Sequence, residues 1–185
     1  MFQPNLMVAA RIDQNLRMQI IDIRNRFKLP SNNIEPHLTL VPPASIPNDF
    51  ASKMLRFADI KKLGEARFHG FQVQYQGIER FELKDGTNIH LQVQACEELS
   101  TIHDWFLDRI QKLGVEFPAD TYQAPYSPHI SIGNVCHPDK QTQLVDYLNQ
   151  QMWTTGSFII RDVGIWIQDY TGGKWINTFP LSLRG

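Results

Sequence analysis

One five-residue pattern, proline–histidine–aliphatic–hydroxyl–aliphatic, occurs twice in this chain. The copies are Pro36-His37-Leu38-Thr39-Leu40 and Pro128-His129-Ile130-Ser131-Ile132. At average residue usage such a pattern arises about once in 10⁵ positions, so two copies half a chain apart in 185 residues constrain the fold. Successive side chains of a strand point to opposite faces. His37 and Thr39 therefore share one face, with Leu38 and Leu40 behind them in a core. His129 and Ser131 are arranged the same way over Ile130 and Ile132. Each proline stands just before its strand, where a missing backbone donor costs least.

The rest of the chain supplies a similar frame around each copy. Asn5 to Ile12 reads as a strand, and Asp13 can cap a helix carrying Leu16, Ile20, Ile23 and Phe27 up to Pro30. The first histidine strand is expected to end at Pro42-Pro43. Asn48 or Asp49 can cap a second helix with Phe50, Met54, Phe57 and Ile60 on one side. Ala66 to Glu82 alternates with period two, and Asp85-Gly86 signals a hairpin into Ile89, Leu91 and Val93. A third helix carries Leu99, Ile102, Phe106, Ile110 and Leu113, closed by Gly114. Phe117 to Ser127 reads as a loop, Leu144, Leu148 and Met152 mark a fourth helix, and Phe158 to Gln168 reads as one β-rich run. Thr171-Gly172-Gly173 is turn chemistry leading to a last strand, Lys174 to Leu181. No low-complexity linker divides residues 1–185, so a single domain of α+β class is expected. It would have two similar lobes, each an antiparallel sheet with helices outside, and the histidine strands facing each other across a central cleft.

Composition narrows the chemistry. A net charge of −1 and a pI near 6.6 supply no global basic field, so any anion site has to be local. Two cysteines, Cys96 and Cys136, suit a reduced compartment better than a disulfide framework. No apolar run approaches the roughly 20 residues of a membrane span, and Met1 to Asp13 does not read as a signal peptide. The expectation is a cytoplasmic protein without a membrane partner or an obligate protein partner.

Histidine takes and gives a proton near neutrality. Two imidazoles on opposite walls of a cleft can divide that work, one deprotonating a nucleophile and the other protonating a departing oxygen. The hydroxyls of Thr39 and Ser131 can donate to a substrate anion. A phosphodiester suits the arrangement, because in-line displacement needs base and acid on opposite sides of phosphorus and donors for its non-bridging oxygens. No metal or other cofactor is required.

These two motifs resemble the paired H-x-T/S-x motifs of the 2H phosphoesterase superfamily, within it the 2′-5′ RNA ligase and cyclic nucleotide phosphodiesterase group. The resemblance covers essentially the whole chain. It extends to the Pro125-Tyr126-Ser127-Pro128 approach, the long helix before it and the closing hairpin through Phe179-Pro180-Leu181. It implies a bilobal pseudo-twofold fold, a metal-independent site, and substrates bearing 2′,3′-cyclic phosphates or 2′-5′ linkages, as nucleotides or RNA ends. By position, His37 and His129 carry over as the acid/base pair and Thr39 and Ser131 as phosphate binders. Which histidine is the acid stays open, and so does net hydrolysis versus ligation. Gly133-Asn134 follows the second motif where many RNA-end-processing members have a basic residue, which leaves small nucleotides in play.

Other features carry plainer readings. His69, His90 and His103 are expected as packed or exposed histidines, and Cys136-His137 lacks a second pair at zinc spacing. Tyr126 is a candidate for stacking on a base because it precedes His129 by three residues; Tyr122, Trp166 and Trp175 are weaker ones. Lys61, Lys62 and Arg80 read as solvated charges. A non-catalytic module binding a nucleotide or RNA end is the main rival. If both histidines act, the rate should be bell-shaped in pH with limbs near the ordinary histidine value.

Overall fold

The computed structural model describes residues 5–30, 34–46, 50–117, 125–168 and 174–185. Among them are eight strands and four α-helices, in the order β1 (Asn5–Arg11), α1 (Gln14–Arg26), β2 (His37–Ser45), α2 (Phe50–Arg67), β3 (Phe71–Leu83), β4 (Gly86–Val93), α3 (Glu97–Gln111), β5 (His129–Val135), α4 (Pro138–Asn149), β6 (Thr155–Ile160), β7 (Asp162–Gln168) and β8 (Trp175–Ser182). The unit strand–helix–His strand–helix thus appears twice, as β1-α1-β2-α2 and β4-α3-β5-α4.

The strands hydrogen-bond in the order β6-β3-β4-β5-β2-β1-β7-β8, all neighbours antiparallel. Two four-stranded halves meet at the His strands, where β2 and β5 are paired through Leu38 and Ile130 alone. The two expected sheets are thus joined at one narrow seam. One residue, Arg161, separates β6 from β7, although they stand six strand positions apart. A flat sheet would hold them roughly 29 Å apart at a spacing of about 4.8 Å, while two Cα steps span about 7.6 Å. The sheet therefore has to curl. Backbone bonds from Gly70 N to Arg184 O, Leu183 N to Arg161 O and Arg184 N to Phe68 O tie the outer strands together.

Local chemistry explains most elements. The Asp13 carboxylate accepts from the amides of Asn15 (2.8 Å) and Leu16 (3.4 Å), capping α1. Leu16, Ile20 and Ile23 are buried on its inner stripe. The β3–β4 turn is Lys84-Asp85, one residue earlier than expected. Gly86 follows with φ +138°, and a Cβ there would sit 2.8 Å from the Val135 carbonyl oxygen. Only glycine fits. Asn48, Asp49, Tyr122 and Thr171-Gly172-Gly173 lie outside the described residues, as do the side chains of Phe50 and Met54.

Three expectations are corrected. Pro42 and Pro43 do not end the first His strand; β2 runs to Ser45. The β1–β2 register is irregular between Leu6 and Val8, where the prolines fall, so they displace no regular ladder bond. Met152 belongs to a short 3-10 turn after α4 and is 95% exposed. The run from 158 to 168 is two strands on opposite halves of the sheet, because the bend at Arg161 splits it.

Leu38, Leu40, Ile130 and Ile132 are all fully buried in the main core, beneath the helices. Burial of each is worth about 1.5–3 kcal/mol. A one-residue slip of either strand would expose these side chains and bury the histidines instead, so the motif's alternation also sets its register.

Candidate functional site

The strand register puts the four motif side chains on one surface. Leu38 and Ile130 are partners across the seam and both point into the core. His37 and Thr39 flank this one ladder pair on β2, and His129 and Ser131 flank it on β5, with the charge of His129 felt at His37.

Both rings are held by the same device. His37 Nδ1 donates to the carbonyl of Glu35 at 2.7 Å, and His129 Nδ1 donates to that of Ser127 at 3.0 Å. A carbonyl only accepts, so Nδ1 carries the proton and Nε2 is the nitrogen left for chemistry. In each case the intervening residue is a proline, Pro36 or Pro128, whose fixed φ shapes the turn that brings the carbonyl back over the ring. This is a second reason for the prolines, and it is visible only in the structure.

The surroundings favour neutral imidazoles. Burial lowers His37 to about 4; its Glu35 bond opposes this, and the charges of Arg24 and His129 lower it further. Burial also lowers His129, opposed by its Ser127 bond. Both protonation equilibria therefore lie below the ordinary histidine range expected from sequence. A bound phosphate would pull them back up by favouring the cation.

A third histidine belongs to the site. His90, expected as a packed or exposed histidine, is 1% exposed and pairs in register with Ser131. Its ring lies 5.0 Å from that of His129 and stacks on Phe81 at 4.0 Å, while Phe81 meets His129 edge-on at 4.9 Å. His90 is lowered to about 4 by burial and then by His129, so the pair does not carry two charges together. Beside it Asn88 accepts from the Ser131 hydroxyl at 3.3 Å and donates to Asn134 at 2.6 Å. Gly133 leaves room for Leu29, since a Cβ would sit 2.8 Å from that side chain. In the other half the positions matching His90 and Asn88 are Ala9 and Met7, packed with Trp166. The two walls of the cleft are therefore unlike, one polar and one apolar.

Arg24 was not singled out from sequence, although it lies four residues after Ile20 on the buried stripe of α1. Its guanidinium donates to the carbonyls of Ile132 (2.8 Å), Ile34 (2.9 Å) and Ser131 (3.0 Å). One side chain thus ties the first lobe's helix to the second His strand and to the segment entering the first. Replacing Arg24 with Leu would strand three carbonyls, each costing about 1–3 kcal/mol if left unpaired. The expected loss is about 3 kcal/mol or more in urea unfolding; a loss below about 1 kcal/mol would mean the carbonyls find other partners.

Tyr126 is a brace. Its hydroxyl donates to the Thr39 carbonyl at 2.8 Å, and its ring stacks on His103 at 4.2 Å. Burial raises its pKa. One ring face is committed to His103. His103 is a satisfied histidine bonded to the Leu40 carbonyl, as expected. Among the described residues no group of three or more His, Cys, Asp or Glu side chains could hold a metal ion. No helix of the described residues is long and apolar enough to cross a membrane.

Comparison with known proteins gives the family and the fold. The family model described as the 2′-5′ RNA ligase superfamily matches residues 12–172. Escherichia coli LigT complexed with 3′-AMP superposes with a TM-score of 0.64 at 15% identity, covering 100% of both chains. LigT complexed with phosphate gives 0.59 at 15% identity, again over 100% of both chains. A protein from Thermus thermophilus gives 0.64 at 12% identity over 98% of each. At these identities the likeness speaks for the fold. No curated protein sequence matches the chain significantly.

Proposed function

Because the chain belongs to the 2′-5′ RNA ligase superfamily, the family of 2H phosphoesterases, we propose that it hydrolyses 2′,3′-cyclic phosphates or 2′-5′ phosphodiester linkages of nucleotides or RNA ends by two-histidine acid/base catalysis. The observation that carries this reading is the matched tethering of His37 and His129, each Nδ1 donated two residues back and each Nε2 left for chemistry. The phosphate and 3′-AMP complexed with LigT support a phosphate-bearing ligand.

His37 is the better base. Burial, and after it the charges of Arg24 and His129, keep its ring unprotonated in the free protein, so its Nε2 lone pair is open to take a proton from water. The water oxygen bonds to phosphorus as the ester bond to the 2′ or 3′ oxygen breaks. His129, on the other strand, takes up a second proton at Nε2 when the phosphate anion binds and gives that proton to the departing oxygen. Thr39 and Ser131 hold the non-bridging oxygens, Ser131 by turning its hydroxyl from Asn88 to the phosphate. Hydrolysis is favoured over joining because water is abundant and the sequence has no nucleotide-triphosphate motif to drive ligation.

The direct test is turnover of the four 2′,3′-cyclic nucleotides and a short 2′-5′ oligomer in excess chelator, reading which oxygen keeps the phosphate. Undiminished turnover in chelator is expected. Tight binding with no turnover of any member would favour a non-catalytic module that holds nucleotides or RNA ends.

A further inference from the structure

A cavity of about 260 Å³ opens beside the first motif, walled by Arg11, Gln14, Arg17, Glu35, His37 and Trp166. Neither His129 nor Ser131 lines it, so it is offset from the point where the two imidazoles converge. Arg11 is the Cα partner of His37 across β1 and β2, and therefore shares its face. Arg17 is matched to Glu35 at 3.0 Å and to the side-chain carbonyl oxygen of Gln14 at 3.0 Å. The exposed Arg11 has no hydrogen bond or ion pair among the described residues. The cavity therefore holds one uncompensated positive charge.

The charge is one-sided. In the second half the residue paired with His129, at the position matching Arg11, is Gln92, which carries none. Trp166 lines the same cavity as Arg11. It is 6% exposed, packs on Met7 and Ala9, and has no partner for its indole Nε1 among the described residues. The planar guanidinium fork matches phosphate oxygens.

We propose that this pocket receives a second phosphate group of the substrate, carried on the same nucleotide as the phosphate undergoing reaction, with Arg11 as its principal contact. The inference rests on the phosphodiester reading above. It implies that a nucleotide with a cyclic phosphate at one end and a phosphate monoester at the other is preferred over the cyclic phosphate alone.

The test compares adenosine 2′,3′-cyclic phosphate with and without a 5′-phosphate, in the parent protein and in Arg11→Gln and Arg11→Lys. The parent should favour the 5′-phosphorylated substrate by about tenfold or more in kcat/KM, acting mainly through KM, as one charge-assisted contact of about 1.4 kcal/mol would give. The ratio should collapse to within about twofold in Arg11→Gln and be partly kept in Arg11→Lys, which retains the charge without the fork. No preference in the parent, or one that Arg11→Gln leaves intact, overturns the proposal. A calorimetric comparison of adenosine 3′,5′-bisphosphate with 3′-AMP separates the two readings. Bisphosphate selectivity lost in Arg11→Gln, without turnover of any cyclic phosphate, would keep the subsite and sink the hydrolase. Turnover with no selectivity in either assay would do the reverse.

Discussion

Replacing His37 or His129 with Gln is expected to lower kcat on a cyclic nucleotide by about 10²–10⁴-fold, the usual worth of a positioned acid or base. The double variant should lose little more than the worse single one, because the pair acts as a unit. An activated ester separates the two roles. A leaving group such as p-nitrophenolate departs without a proton, so His129→Gln should recover most of its rate on a p-nitrophenyl phosphodiester, whereas His37→Gln should stay slow. Rescue of His37→Gln alone would exchange the roles. Equal, small losses in both variants on both substrates would remove the histidines from the chemistry. The acid limb of kcat/KM should fall below the ordinary histidine pKa, since burial lowers both rings in the free protein.

The same burial predicts that this protein loses stability in mild acid. His37 and His90 are each held near 4 when folded, against about 6.5 when unfolded. Between those values the unfolded chain binds more protons than the folded one, so stability falls as pH drops from about 6.5 to 4. A shift of that size corresponds to at most about 3 kcal/mol per group, less for the half-buried His37, which water screens. Several kcal/mol is a large share of a small domain's stability. The midpoint of urea unfolding should drop clearly from about pH 7 to about pH 5, and His37→Gln should flatten the slope while slowing catalysis. A midpoint independent of pH over that interval would show that the rings are not desolvated as described.

What could be read from residues alone was whatever repeats or alternates locally. The paired His-x-hydroxyl strands, the Asp13 cap, the stripe of Leu99, Ile102, Phe106 and Ile110, and the double strand–helix unit all follow from period and capping. Those signals involve neighbours within a few positions, which is why they are legible in the chain itself. The break at Arg161 and the passage of β2 through Pro42-Pro43 are not, because each depends on which strand lies alongside. The same holds for the contacts of Tyr126 with Thr39 and His103, which come from distant segments.

The sequence by itself determined that two histidines, each with a hydroxyl two residues on, would stand on the exposed faces of two strands whose other faces are core. Alternation of side chains forces that, given four aliphatic residues that have to be buried. Only the tertiary structure decided which nitrogen of each ring is available, that His90 and Phe81 back one histidine while Arg11 flanks the other, and that Arg24 locks the two lobes. The first depends on how each turn folds a carbonyl two residues back over the ring, and the others on strand order and on carbonyls distant in sequence, which no residue pattern encodes.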